Sequence, residues 1–220
     1  MNLRPVCRAV AALLAILLAA PAGAINLLTN GSLEFATGIS PNATLSAGAT
    51  NLTGWAVIGG GNLLWCDSSF CSIPPSDGAF SLDLTGLTNV APYAGVQQSI
   101  ATVPGTTYEL TFDLSGRSDS VPVSVQASAG TTSSLFSSNL ASWSSRTLSF
   151  SANASTTTIS IVGISAGGTG LDLQIDNVAV AETPVPEPTS AVLLLSGGLV
   201  IVSARRLQRS FKLAPRTATH

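Results

Sequence analysis

Tyr108-Glu109-Leu110-Thr111-Phe112-Asp113-Leu114 alternates apolar and polar side chains without a break. Successive side chains of an extended chain point to opposite faces, so this stretch predicts a strand with one face buried. The same period of two recurs in Val121/Val123/Val125, Leu148/Phe150 and Ile159/Ile161, with shorter candidates at Trp55 to Ile58, Ala79 to Leu84 and Tyr93 to Ile100. Gly59-Gly60-Gly61-Asn62 and Pro104-Gly105 supply turns between them. No stretch of this region has the 3.6-residue period of an amphipathic helix. The expectation is all-β: eight or so short strands forming a β-sandwich of the jelly-roll kind. Pro122 donates nothing to a ladder, which predicts an edge position for its strand.

One strand carries more information. Leu171, Leu173 and Ile175 hold odd positions, but the apolar set resumes at Val178 and Val180. That change of parity requires one extra residue, a bulge at Asp176-Asn177, which would re-aim a carboxylate. Near the other end, Asn30-Gly31-Ser32-Leu33-Glu34 sets a second carboxylate three residues after a glycine turn.

Two terminal segments differ from this region. Residues 1–24 carry Arg4 and Arg8, an apolar core from Ala9 to Ala20, and Pro21-Ala22-Gly23-Ala24. This is the pattern of a secretory signal peptide with cleavage after Ala24, and Ala22 and Ala24 are the small residues that signal peptidase reads. The segment 184–212 contains Pro186-Glu187-Pro188, an uncharged run expected to form a membrane helix over 190–204, then Arg205, Arg206, Arg209 and Lys212. The run spans about 22–24 Å at ~1.5 Å per residue, short of the ~30 Å hydrocarbon core, so it is a weak inner-membrane anchor with basic residues on the inside. A buried core helix would show a polar face, and this run has none. Residues 213–220 form a tail without a recognisable role.

Between them, residues 25–183 have the size of one domain. Arg117 and Arg146 are its cations, against ten carboxylates. A surface this acidic has nothing with which to displace counterions from phosphates, which excludes nucleic acid. Once Cys7 leaves with the signal, Cys66 and Cys71 remain. An exported chain favours a disulfide between them, worth about 2 kcal/mol for so short a loop. The alternative, zinc, has two thiols and no nearby histidine, half a site at best.

The ordered Pro-Glu-Pro, apolar run and Arg205-Arg206 resembles the PEP-CTERM sorting signal of Gram-negative bacteria. In that family an exosortase in the membrane recognises and processes the tail. Asn30-Gly31-Ser32-Leu33-Glu34 and Ile175-Asp176-Asn177-Val178 resemble the terminal motifs of galactose-binding-like sandwiches. With Gly54-Trp55, Asp77-Gly78, Ser81-Leu82-Asp83-Leu84, Val96-Gln97-Gln98 and Pro104 to Leu110, they resemble the choice-of-anchor C family. That resemblance implies a structural calcium at Glu34 and Asp176, completed by oxygens near Asn30. The alternative is that both carboxylates satisfy backbone donors in turns.

Catalytic chemistry is poorly provided for. The one histidine, His220, lies in the tail, so no Ser-His-Asp or Cys-His site can be assembled. No zinc, phosphate or dinucleotide motif is present. Paired carboxylates such as Asp77/Asp83 or Asp172/Asp176 are the substitute for a glycosidase, but Asp83 and Asp172 are expected on solvent faces of strands. The reading is not an enzyme. Trp65, with Asp67 and Phe70 beside the Cys66–Cys71 clip, is the candidate for stacking on extracellular polysaccharide; packing against the clip is the alternative. Trp55 and Trp143 are expected in the core. The sequence thus predicts an exported surface or matrix protein that associates with polysaccharide, with a passive structural protein or a glycan-active enzyme as the competing classes.

Overall fold

The computed structural model describes residues 25–71, 73–88, 90–116, 122–139, 141–166 and 172–183. The expectations for the signal (Ala22, Ala24), the sorting tail (Pro186, Glu187, Pro188, Arg205, Arg206), Val121 and Leu171 lie outside them. Among the described residues there are eleven strands: β1 (Ala43–Ser46), β2 (Ala56–Gly59), β3 (Asn62–Asp67), β4 (Phe80–Asp83), β5 (Ala94–Ala101), β6 (Thr107–Gly116), β7 (Val123–Ala129), β8 (Thr132–Ser138), β9 (Ser144–Ser151), β10 (Thr156–Ser165) and β11 (Leu173–Glu182). The described residues contain no helix. Six strands make one sheet in the order β1-β3-β4-β11-β6-β9, and five make the other, β2-β5-β10-β7-β8.

The chain is an all-β sandwich. Tyr108, Leu110, Phe112 and Leu114 of β6 are buried, and so are Val125 of β7 and Ile159 and Ile161 of β10. These inner faces meet directly: the ring of Phe112 on one sheet stands edge-on to Phe136 of β8 on the other, centroids 5.5 Å apart. Arg146, the sole cation among the described residues, crosses between sheets by donating to the Ser137 carbonyl oxygen at 2.7 Å.

Three expectations need correction. The strands number eleven, because β1, β3 and β8 are short or serine-rich and carry little alternation. The strand after Pro122 is internal, with β7 between β10 and β8. Pro122 precedes its first residue, so the missing N–H costs no ladder bond. Trp143 is half-buried rather than core, and its indole N–H donates to the Pro74 carbonyl.

The bulge forms where parity required it. Asp176 of β11 faces Asp113 and Ala179 faces Thr111, so three steps on one strand oppose two on the other. Asn177 adopts φ 50°, which asparagine tolerates better than most residues. The N-terminal turn packs against this irregularity. Val178 N–H donates to the Gly31 carbonyl at 2.8 Å, and the Asn26 amide takes up the carbonyl of Val178 (3.1 Å) and the N–H of Val180 (2.9 Å). The bulge releases backbone groups from the ladder, and the chain start accepts them.

A methyl group on Gly31 would fall on the Val178 carbonyl oxygen and the Asn26 amide. Gly31→Ala is therefore expected to cost about 2–4 kcal/mol through displaced backbone. A denaturant midpoint unchanged from wild type would show that the turn and bulge do not pack as described.

Candidate functional site: the roofed face of the six-stranded sheet

Of the residues singled out in the sequence, Glu34, Cys66, Cys71 and Asp176 meet at the loop between β3 and β4. The chain leaves β3 at Asp67, folds back over the outer face of the six-stranded sheet, and re-enters the sheet at Phe80. Four attachments hold this roof. Cys66 and Cys71 form the expected disulfide, Cα atoms 5.6 Å apart, and the Trp143 indole donates to the Pro74 carbonyl at 2.7 Å. Asp176 Oδ2 accepts the N–H groups of Ser76 (2.8 Å) and Asp77 (3.0 Å), while the Ser76 hydroxyl is shared between Asp113 (2.9 Å) and Asp176 (3.2 Å). Glu34 Oε1 accepts from Ala79 and Phe80, both at 2.9 Å. Gly78, at φ +63°, leaves room for that carboxylate, and any Cβ there would strike it.

The two motif carboxylates therefore act as backbone clamps on one loop. This decides the calcium question at Asn30, Glu34 and Asp176. Both Glu34 oxygens receive the Ala79 N–H, and Asp176 Oδ1 accepts its neighbour Asn177 N–H at 2.7 Å. Asn30 spends its amide on the Phe35 and Thr53 backbone. Oxygens aimed at N–H donors do not suit a cation, so these three residues do not fit calcium.

Trp65 is corrected as well. It is 5% exposed, stacked on Phe80 with centroids 4.1 Å apart, and its indole N–H donates to the Leu33 carbonyl at 2.8 Å. Alternation along β3 turns it inward with Leu63, so it offers no face to a sugar. Phe70, in the roof, is 53% exposed. Asp67 remains at the surface, where the Ser69 hydroxyl and N–H hold its carboxyl below the usual range.

The outer face holds polar groups that the sequence reading put in solvent. Asp83 and Asp172 point away from the core as expected, but both are buried. Alternation tells which way a side chain points, not whether that side meets water. Ser81, Ser115, Gln174 and Asp176 on the same face have no solvent exposure. Sequence reasoning also missed Gln98, although it shares parity with Val96 and Ile100. Its amide turns inward and brackets Thr29, accepting the N–H at 2.7 Å and donating to the carbonyl at 2.9 Å.

Burial, outweighing hydrogen bonds from Thr85 and Leu173, pushes the Asp83 carboxyl up to about 6. Burial likewise raises Asp176 to about 6 against the pull of the Ser76, Asp77 and Asn177 donors. In the unfolded chain both titrate near 3.8, so between about pH 4 and 6 the folded state binds more protons. Stability then falls as pH rises through that window. The melting temperature is therefore expected to be higher at pH 4.5 than at pH 7. Asp83→Asn should raise stability at pH 7 by ~1–3 kcal/mol and flatten the profile. A profile that rises from pH 4.5 to 7 in both proteins would contradict this.

Among curated proteins no sequence matches the chain. Several solved structures resemble it in fold at low identity. TmCBM61 in complex with beta-1,4-galactotriose is 16% identical, with 72% of this chain and 99% of that one covered and a TM-score of 0.47. An arabinose-bound MgGH51 α-L-arabinofuranosidase is 14% identical over 76% of this chain and 28% of that one, TM-score 0.49. The CBM36-1 domain of a multidomain xylanase from the hindgut metagenome of Trinervitermes trinervoides is 15% identical over 60% and 99%, TM-score 0.41. A family model, described as a protein of unknown function (DUF642), matches residues 26–181, nearly the whole sandwich. The chain belongs to the DUF642 family.

Proposed function

We propose that this is an exported, non-catalytic surface protein of a Gram-negative bacterium, whose sandwich associates with extracellular polysaccharide through the roof. The observation that carries the binding half is Phe70, an exposed ring on a segment fixed by a disulfide and three sets of hydrogen bonds. Sugar rings present C–H faces that stack on aromatic surfaces, and a platform already ordered loses little freedom on binding. Asp67 stands beside it. Its carboxylate, held by the Ser69 hydroxyl and N–H, is the acceptor for a sugar hydroxyl in this reading.

Export is supported by the Cys66–Cys71 disulfide, which suits an oxidising compartment, and by the signal and tail in the sequence. In this reading signal peptidase removes residues 1–24, the 190–204 run holds the chain in the inner membrane, and an exosortase acts at the Pro186-Glu187-Pro188 tail. The sandwich then reaches the cell surface or matrix. The resemblance to choice-of-anchor C and galactose-binding-like jelly rolls belongs to the same reading.

Retention of the protein on a panel of immobilised extracellular polysaccharides tests the binding half. Phe70→Ala is expected to weaken retention by about tenfold or less, in keeping with ~0.5–1.5 kcal/mol for one aromatic contact, with the melting temperature unchanged. Equal retention of both proteins would remove the roof as the contact. No retention of the wild type would leave the passive surface protein.

A further inference from the structure

Four strands end the two sheets: β1 and β9 in one, β2 and β8 in the other. An edge strand presents backbone N–H and C=O groups that its own sheet leaves unpaired, and another extended chain can take them up. β1 and β2 have four residues each, and β9 carries Arg146, so these three edges are short or charged. β8 is neither. Thr132-Ser133-Ser134-Leu135-Phe136-Ser137-Ser138 runs for seven residues without a charge or a proline, and Leu135 at its centre is 61% exposed.

The hairpin fixes which backbone groups of β8 face outward. Ala129 pairs with Thr132 across the two-residue turn Gly130-Thr131, and Gly130 takes the positive φ (58°) that such a turn demands there. In an antiparallel pair, alternate residues exchange both backbone bonds with the partner, and the residues between them turn theirs to the opposite side. A two-residue turn closes on a bonded pair. Thr132, Ser134, Phe136 and Ser138 therefore bond to β7, while Ser133, Leu135 and Ser137 point theirs off the sheet. Two contacts agree with this phase. The Gly130 N–H reaches away from β8 to the Thr158 carbonyl of β10 (2.9 Å), and the outward Ser137 carbonyl accepts from Arg146 of β9 (2.7 Å). Among the described residues, the N–H and C=O groups of Ser133 and Leu135 then form the unpaired stretch of this edge.

That stretch is complementary to itself. In an antiparallel pairing of two β8 strands about a two-fold axis at Ser134, Ser133 of each copy lies opposite Leu135 of the other. Four hydrogen bonds form, and Ser137 keeps its contact with Arg146. No strand of this sheet carries a charge, so two identical edges bring no like charges together and offer a charged partner strand nothing to match. The two Leu135 side chains share the outer face, on a diagonal about 7–8 Å across the seam. We propose that β8 pairs with β8 of a second copy of this chain, joining two five-stranded sheets into one of ten strands. The contact is small, so the dimer is a reversible one.

The test uses the full chain in mild detergent, followed by sedimentation velocity from about 1 µM to about 1 mM, the range over which small interfaces dissociate. A concentration-dependent dimer is expected, with the backbone amides of Ser133 and Leu135 exchanging at least tenfold more slowly in the dimer than in the monomer. Leu135→Lys and Leu135→Glu each place like charges across the seam and should weaken association at least tenfold. The melting temperature of the monomer should not change, because the side chain is exposed. An equimolar mixture of the two variants should recover the dimer, which association through any other part of the chain would not require. A wild type that stays monomeric throughout would overturn the proposal and leave the edge to a strand of another protein. A dimer that survives Leu135→Lys, a dimer whose Ser133 and Leu135 amides still exchange fast, or a mixture that associates no better than either variant alone would each overturn it as well.

Discussion

A carboxylate taken out of water has to be given hydrogen-bond donors, and Asp176 has no solvent exposure at all. Its donors are the backbone N–H groups of Ser76, Asp77 and Asn177, so the buried acid dictates where the roof lies. Glu34 does the same from the other side, through Ala79 and Phe80. One clamp comes from near the start of the sandwich and the other from its last strand, a hundred residues from the loop. The chain therefore closes on itself at this loop: the first turn packs on the last strand through Gly31 and Val178, and both hold the segment between β3 and β4. Removing either acid would orphan backbone donors in the roof as well as the neighbouring carboxylate's share of the load.

The clamp also gives the two sheets different chemistry. No strand of the five-stranded sheet carries a charged residue. Its outward hydroxyls pair with one another, as Ser99 with Thr158 at 3.0 Å and Ser128 with Ser160 at 2.7 Å. Every charged strand residue lies in the six-stranded sheet, and the roof shields part of that charge from water. A face whose hydroxyls already satisfy each other has little drive to exchange water for a ligand. The roofed face, with an exposed ring above it, has more.

Much of this was legible. Alternation in Tyr108 to Leu114 and in the Ile159 region gave the sandwich, and the parity change between Ile175 and Val178 gave the bulge to the residue. These are local signals set by the two-residue period of a strand. Burial of the outer face was not legible, because nothing in the alternation of β4 or β11 registers whether that face is covered. The alternation therefore predicts solvated Asp83 and Asp172 and does not distinguish Gln174. Trp65 was misread because β3 shows a run, Leu63-Leu64-Trp65-Cys66, buried on both faces, which leaves no alternation to orient the ring. Glu34 and Asp176 were found as a pair from motif resemblance, but their purpose as clamps needed the loop between them.

The central claim is that the roof is part of the folded sandwich rather than a surface loop laid on it. Hydrogen exchange of the backbone amides of Ser76, Asp77, Ala79 and Phe80 measures this directly. The account predicts that all four exchange slowly, with protection approaching that of core amides in β6 and β11, and that Asp176→Asn and Glu34→Gln each release their own pair first. Exchange of these four amides near the rate of an unstructured chain, with β6 and β11 still protected, would contradict it.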